Sequence, residues 1–323
     1  MGSVTDSRSP SPLAGLLTKL GSATGIRRLA VASLVMNIGI ILSGGLVRLT
    51  DSGLGCPTWP QCSAGSYTPH QALGIHGVIE FTNRTFTFIL MFIALITWIA
   101  ALAHRRADGS PDRRLRWLTF GMGLGIPFQG VIGGITVHTD LNPYVVALHM
   151  LDSLVLVALS VWLVRLTWPV SPRQVASRVK GVAGIAFAAS WVVVCLGTIV
   201  TGSGPHAGDL EAHRTGLNAV TISHLHAAAV YLLVAATLAV IVLLRGHRPA
   251  VILLIIEVSQ GIVGFVQYYN GLPIGVVELH LLGAACTIAG AANLFLSITT
   301  RTVADSPAGG ARVVDSKPAQ PVI

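Results

Sequence analysis

The sequence predicts an all-α polytopic membrane protein whose eight transmembrane helices form two pseudo-symmetric four-helix bundles, with both termini in the cytoplasm. Composition is the first indication: of 323 residues, 52% are hydrophobic and only 11% are charged. Soluble domains carry about 25% charged residues. The other two indications are the spacing of apolar segments and an internal repeat.

Eight apolar segments are each close to the length of about 20 residues that crosses a bilayer as a helix. They cover residues 27–48, 74–103, 115–137, 142–167, 180–202, 216–244, 249–269 and 272–299. Helices are predicted because an open strand would leave backbone groups unpaired in lipid. The flanking segments 1–26 and 301–323 are rich in Ser, Pro, Gly and Ala and are predicted to be disordered tails.

The basic residues are distributed unevenly between the two sides of the membrane. Of the 21 Lys and Arg residues, 18 lie in the tails and in the connections that share one side with them. Only Arg48, Arg84 and Arg214 lie elsewhere. By the positive-inside rule both termini are cytoplasmic. The net charge of +8 therefore reports topology and does not indicate a nucleic-acid partner.

An internal repeat relates residues 128–150 to residues 259–281. The two stretches align without a gap at an offset of 131 residues (259 minus 128). The identities include Gln129 with Gln260, Gly133 with Gly264, and His149 with His280. So many identities in one register indicate a duplicated structural unit.

The repeat unit contains four helices and predicts two domains. A weaker match at an offset of 143 residues (226 minus 83) places Asn83 opposite His226. Because four is an even number, both copies enter the membrane in the same direction, as parallel repeats do. Residues 27–170, which include an outer loop at 49–73, and residues 171–300 are each predicted to form one bundle.

Two histidines of the second half are predicted to lie at one depth. His226 and His280 both lie in the outer part of segments that enter from the outer side, roughly 12–15 Å in at 1.5 Å per residue. Two histidines at one level of a bundle can hold a haem from both sides. The alternative for a single membrane histidine is an interhelical hydrogen bond. Their pairing by the repeat favours haem, and His149 and Asn83 mark the same level in the first half.

Glu80 is the acidic residue well inside the second segment. His76, Glu80 and Asn83 share one helix face at i, i+4, i+7 spacing. One interpretation is an ion pair with Arg84, one turn further on. The other is a carboxylate beside a reaction centre, acting as proton acceptor or charge stabiliser. The cost of burying a carboxylate in a membrane favours the second interpretation.

The predicted outer loop begins RLTDSGLGCPTWPQC and contains Cys56 and Cys62. An oxidising side of the membrane and a short spacing permit a disulfide between them. The alternative is a metal-binding pair, but no second pair nearby completes a zinc set, and this favours the disulfide. Arg48 is predicted either to position a haem propionate or to brace the loop.

Five motifs, GLVRLTDSGLGCPTWPQC, HGVIEFTNR, LNPYVVALHM, HLHAAAV and VVELHLLGA, resemble the haem A synthase family in its bacterial, actinobacterial-like form. The resemblance covers all eight segments. It implies a plasma-membrane enzyme of haem biosynthesis, which oxidises the C8 methyl group of haem O to a formyl group by successive hydroxylations. It also implies that Cys56 and Cys62 form a disulfide, as in the members that possess this pair.

The resemblance implies a role for each half. In the second half, His226 and His280 match the two axial ligands of a haem b. In the first half, which takes the substrate haem O, His149 matches a family histidine and Glu80 matches the catalytically important glutamate. Asn83 departs from the pattern, because many relatives have histidine there.

An amide is a poor iron ligand, so haem O is expected to be held by His149 alone or with His76. The iron is then open or weakly ligated on the Asn83 side, and Arg84 and Arg48 adjoin the same site. The expected partners are haem O, a haem O synthase, an electron donor or acceptor, membrane lipids and a second copy of the chain.

Two other functions are weaker alternatives. A membrane cytochrome b that carries electrons without chemistry on the haem ring predicts symmetric bis-histidine pairs, whereas the first half has Asn83 and Glu80. A transporter predicts broken helices with polar residues at the membrane midplane, whereas the polar groups here cluster in the outer third.

Overall fold

The computed structural model describes residues 11–168 and 175–299 and consists almost entirely of helices over these ranges. In chain order the helices are α1 (Pro12–Gly21), α2 (Ala23–Leu49), α3 (Gly74–Ala103), α4 (Arg113–His138), α5 (Pro143–Thr167), α6 (Ser177–Ser203), α7 (Ala219–Leu243), α8 (Arg248–Tyr269) and α9 (Ile274–Thr299). A 3₁₀ turn, Gln71–Leu73, leads into α3. Helices α2 to α9 are long and apolar enough to cross a membrane, which confirms the eight predicted segments.

The ends of the helices follow local capping chemistry. Helix α2 begins at Ala23, four residues before the predicted start, because the Ser22 side chain accepts a hydrogen bond from Gly25 N at 3.1 Å. Serine is a strongly preferred N-cap residue. The other predicted ends differ from the observed ones by three residues or fewer.

The predicted disorder of residues 1–26 is wrong for the part that the structure describes. Ser11 caps α1 by accepting a hydrogen bond from Ala14 N at 3.3 Å, and Pro12 occupies the first turn. Serine at the N-cap and proline in the first turn are helix-start residues, so a composition that resembles a disordered tail here encodes a helix. Residues 1–10 and the predicted tail 301–323 lie outside the described residues.

Each half of the membrane region is a ring of four helices. In the first ring α2 packs on α3, α3 on α4, α4 on α5, and α5 on α2. In the second ring α6, α7, α8 and α9 follow the same order. Among these described helices, the diagonal pairs α3 with α5 and α7 with α9 do not pack directly on each other. Inward side chains on diagonal helices can therefore meet across the middle of a ring.

The two rings join through α2 and α5 of the first and α6 and α9 of the second. An apolar core fills this junction, built from Ile41, Leu154, Val157, Val194, Ala285 and Ile288. The predicted pseudo-symmetry and the cytoplasmic termini stay predictions, and the common ring order supports the first of them.

Candidate functional site

His226 and His280 face each other across the second ring. They project from the diagonal helices α7 and α9, and their ring centroids are 6.5 Å apart with an interplanar angle of 68°. Two imidazole nitrogens bound to opposite sides of one metal ion, at about 2 Å each, would place the ring centroids about 6 Å apart. The observed spacing fits two axial ligands of one iron.

The hydrogen bonds around these two imidazoles also fit a haem iron. His226 Nδ1 lies 3.0 Å from Val193 O and donates there, and in the neutral imidazole this leaves Nε2 as an unprotonated acceptor. Metal-binding histidines commonly donate their other nitrogen to a backbone carbonyl in this way. His280 Nδ1 is buried and has no hydrogen-bond partner among the described residues. Those residues contain no cluster of three His, Cys, Asp or Glu side chains suited to a bare metal ion.

A glycine on the neighbouring helix lies against each site histidine. A Cβ on these glycines would lie 3.3, 3.3 and 3.4 Å from the histidine Cε1 in the pairs Gly133 with His149, Gly197 with His226, and Gly264 with His280. The fourth such pair is Gly44 with Asn83, where the Cβ would lie 4.0 Å from Asn83 Oδ1. Asn83 on α3 thus lies beside a glycine of the preceding helix, as His226 on α7 does, which supports the predicted match between the two positions.

Two repeated glutamines hold the backbone of the site histidines. Gln129 Nε2 donates to His149 O at 3.2 Å, and Gln260 Nε2 donates to His280 O at 2.8 Å. Gly283 leaves room for the Gln260 side chain, because a Cβ at residue 283 would collide with the glutamine amide group. The matching bonds fix the carbonyl of the same site histidine in each ring.

In the first ring an imidazole and a carboxamide stand where the second ring has two imidazoles. His149 Nδ1 is buried without a partner among the described residues. Asn83 Oδ1 accepts a hydrogen bond from Ser43 Oγ at 2.6 Å. Ser43 and the glycines Gly44 and Gly197 were not identified from the sequence, because small residues in apolar helices give no signal until the facing helix is known.

Glu80 is 5% exposed and binds both an arginine and the cysteine loop. Its Oε1 accepts from Arg84 Nη2 at 2.5 Å and from Arg84 Nε at 3.1 Å, and its Oε2 accepts from Cys56 N at 2.6 Å. The ion pair that the sequence left as one interpretation is therefore formed. A carboxylate offers about four acceptor positions, so Oε2 retains one for a further donor.

Arg84 connects Glu80 to the loop that contains the two cysteines. Its Nη1 and Nη2 donate to the carbonyl oxygens of Cys56, Thr58 and Gln61 at 3.1 Å. The guanidinium groups of buried arginines need such partners. The structure thus directs Arg84 at the loop.

The cysteine pair forms a disulfide, which confirms that prediction and excludes the metal pair. The S–S distance between Cys56 and Cys62 is 2.01 Å, and both residues are fully buried. Trp59, inside the closed loop, lies on Gly134 of α4, where a Cβ would collide with the indole. The loop is therefore seated against both α3 and α4 at one end of the first ring.

Arg48 braces the junction between the rings. Its Nη2 donates to Thr201 O at 2.8 Å and to His206 O, both in the second half. A second bond across the junction runs from Gly53 N to Gly208 O at 2.8 Å. These side-chain bonds run to the second half and not to the outer loop, so both roles predicted for Arg48 stay predictions.

His76 is exposed and lies at the start of α3. Its Nδ1 is 2.9 Å from the hydroxyl oxygen of the buried Ser52. The structure therefore places His76 next to the first residues of the loop.

The fold and the site define a multi-pass membrane protein with two four-helix rings, the second of which carries two facing histidines. In bacteria such a protein resides in the plasma membrane. The chain belongs to the COX15-CtaA family, described as cytochrome oxidase assembly protein, whose model matches residues 27–76 and 75–292.

Curated relatives carry a more specific name. The chain is 31% identical over 179 residues to a protein named "Heme A synthase" from Shewanella oneidensis, covering 50% of this chain and 52% of the relative. It is 30% identical over 135 residues to a "Heme A synthase" from Macrococcus caseolyticus, covering 42% and 43%. A Bradyrhizobium "Heme A synthase" is 26% identical over 199 residues, covering 50% and 53%. The chain thus spans about half the length of the curated relatives it matches.

Proposed function

We propose that this protein is a haem A synthase that oxidises the C8 methyl group of haem O to a formyl group by successive hydroxylations. The observation that carries the proposal is the pair His226 and His280, whose ring centroids are 6.5 Å apart in a member of the COX15-CtaA family. If water supplies the oxygen, converting the methyl group to a formyl group releases four electrons and four protons and requires an electron acceptor. If O₂ supplies the oxygen, each hydroxylation instead requires two electrons from a donor.

In this proposal His226 and His280 are the axial ligands of a haem b. That haem supplies a one-electron redox centre when it is bound. His226 is held in its tautomer by Val193 O, and the backbone of His280 is held by Gln260. The chain therefore orients both ligands before the cofactor binds, which lowers the ordering cost of binding.

The first ring is proposed to take haem O through His149. Glu80 is the candidate catalytic carboxylate, because Oε2 retains an acceptor position while Oε1 is paired with Arg84. It would accept a proton at Oε2 or stabilise positive charge nearby. Arg84 and His76 are proposed to shape the mouth of this ring through their contacts with the loop, and Arg48 through its bonds to the second half.

Haem O is the proposed substrate. In this proposal haem O is the precursor of haem A. The enzyme that makes it, a haem O synthase, is therefore the proposed supplier. An electron donor or acceptor, membrane lipids and a second copy of the chain are further proposed partners.

The test is to co-express the full chain with a haem O synthase in a host that makes no haem A, and to identify the extracted haems by mass. We expect haem A with the intact chain and its loss with His149→Ala. Absence of haem A from the intact chain, with the protein present in the membrane, would contradict the proposal. Full haem A production by both His149→Ala and Glu80→Gln would overturn the assignment of the first ring.

The same experiment separates the alternative of a cytochrome b electron carrier. Such a carrier would contain low-spin haem b and leave haem O unchanged. The unlike residues Asn83 and His226 at matching positions favour the enzyme, because a pure electron carrier has no need for two different rings.

A further inference from the structure

Asn83 is one of four site residues, and the other three, His149, His226 and His280, are histidines. The glycine contacts support its match with His226, and it lies on α3, diagonal to α5 with His149. This placement is a property of the chain itself and does not depend on any bound group. What the Asn83 side chain can offer to a ligand depends on whether its carbonyl oxygen or its amino group already has a hydrogen-bond partner within the protein.

The Ser43 hydroxyl decides the orientation of the carboxamide. Its oxygen lies 2.6 Å from Asn83 Oδ1 and 3.1 Å from Ile40 O, but it has only one proton to donate. A distance of 2.6 Å is typical of O–H···O bonds and short for N–H···O bonds, which range over about 2.7–3.2 Å. Ser43 therefore donates to Oδ1, and the carbonyl end of the amide is engaged.

The amino end of Asn83 is the part left to interact with a ligand. Among the described residues no group accepts a hydrogen bond from Asn83 Nδ2. An amide NH₂ group has two N–H donors and no lone pair available for a metal ion. Asn83 is therefore unsuited to bind iron, but it is suited to donate hydrogen bonds to a small ligand that does.

We propose that the first ring contains a binding site for a small anionic ligand, of the class of cyanide and azide, between Asn83 Nδ2 and the iron of a haem held by His149. The ligand would lie beside Asn83, at the position that the repeat aligns with His226, and the amide N–H groups would stabilise its charge. This inference rests on the proposed function, because it requires haem in the first ring.

The test is cyanide titration of the purified, ferric, haem-loaded full chain, followed by optical difference spectra. We expect saturable binding at one cyanide per chain, and its loss in Asn83→His, where an imidazole fills the position. Asn83→Leu keeps the position open but removes the donors, so its affinity should fall about tenfold or more. Ser43→Ala should lower the affinity less, because the amide is retained but no longer oriented.

A reciprocal variant provides a matched control in the other ring. His226→Asn should create a second cyanide site, whereas His224→Ala, an exposed neighbour on the same helix, should not. If a His149-dependent haem is present and the wild-type protein binds no cyanide, the inference is wrong and the proposed function stands. If Asn83→Leu binds cyanide as tightly as the wild type, the role of Asn83 is wrong. If no His149-dependent haem loads at all, both the inference and the proposed first-ring site fail.

Discussion

In the second ring His226 and His280 face each other from α7 and α9, whereas the matching positions on α3 and α5 of the first ring carry Asn83 and His149. The supporting frame is the same in both rings. A glycine lies against each of these side chains, and a glutamine binds the carbonyl of His149 in one ring and His280 in the other. The rings thus share their scaffold and differ in the residues that a haem would meet.

A second difference accompanies the first. The first ring has Glu80, bound to Arg84 and to the disulfide loop, where the repeat places Ser223 in the second ring. The Ser223 hydroxyl donates only to Ala219 O of its own helix. The second ring also buries a carboxylate, Glu257 of α8, but its hydrogen-bond donor is the Thr237 hydroxyl, at 2.7 Å, and not an arginine. In the proposed function the second ring holds the cofactor and the first ring takes the substrate.

The largest expected effect comes from removing one member of the histidine pair. His280→Ala should abolish the low-spin haem b spectrum, because a single imidazole cannot provide both axial ligands. The measurement is the reduced-minus-oxidised spectrum of the purified protein. His224→Ala is the matched control and should retain the spectrum. An unchanged spectrum in His280→Ala would contradict the proposal that the second ring holds haem b through His226 and His280.

Replacing the carboxylate should affect chemistry in the first ring alone. Glu80→Gln should lower haem A production by roughly 10²-fold or more, the range typical of a lost acid–base group. Its haem b spectrum should persist, because the second ring is intact. Haem extraction and optical spectra measure the two outcomes. Ser223→Ala, at the matching position, should produce haem A normally, and equal loss in both variants would contradict a special role for Glu80.

The brace between the rings can be removed by a single substitution. Arg48→Ala should lower the free energy of unfolding by about 2 kcal/mol, because bonds from its charged group to Thr201 O and His206 O are lost. Thermal unfolding in detergent measures this. Arg214→Ala is the control, since Arg214 donates to Ala212 O and Pro205 O within its own loop. A larger loss in the control would contradict the brace.

Removing the disulfide tests whether the loop supports the first ring alone or both rings. Replacing both Cys56 and Cys62 by serine should cost about 2 kcal/mol, as expected for opening so short a loop. Haem A production should fall while the haem b spectrum is retained, because the loop contacts α3 and α4. Loss of haem b at equal protein levels would show instead that the loop supports both rings.

The smallest expected effects come from replacing the glycines Gly197 and Gly44 by alanine. A Cβ on Gly197 would lie 3.3 Å from His226 Cε1, so Gly197→Ala should displace the imidazole and shift the haem b spectrum. A Cβ on Gly44 would lie 4.0 Å from Asn83 Oδ1, an ordinary contact. Gly44→Ala should therefore be tolerated and gain up to about 1 kcal/mol in helix propensity. Equal responses of the two variants would contradict the difference in packing.

Much of the fold could be predicted because the membrane restricts the choices. An apolar stretch of sufficient length has to be a helix in lipid, and the eight segments follow from hydropathy alone. Helix α1 could not be predicted in this way, since its start depends on the Ser11 cap and not on an apolar stretch. The repeat register also identified His149, His226 and His280, because identities in one register report matching positions.

The partners of the charged residues could not be predicted. The sequence places Glu80 and Arg84 one turn apart, but it does not show that the amide of Cys56 and the carbonyl of Thr58 meet them. Likewise, the bonds from Arg48 to a loop more than 150 residues further along the chain depend on how the rings join.

By itself, the sequence determined the number of membrane-spanning helices, the internal repeat and the residues that the repeat aligns, because hydropathy and repetition are properties of the chain alone. Only the tertiary structure decided that His226 faces His280, that Ser43 orients Asn83, and that Arg48 and Arg84 serve the loops. The physical reason is that a side chain is directed by the helix packed against it. Which helix that is depends on the arrangement of the whole ring.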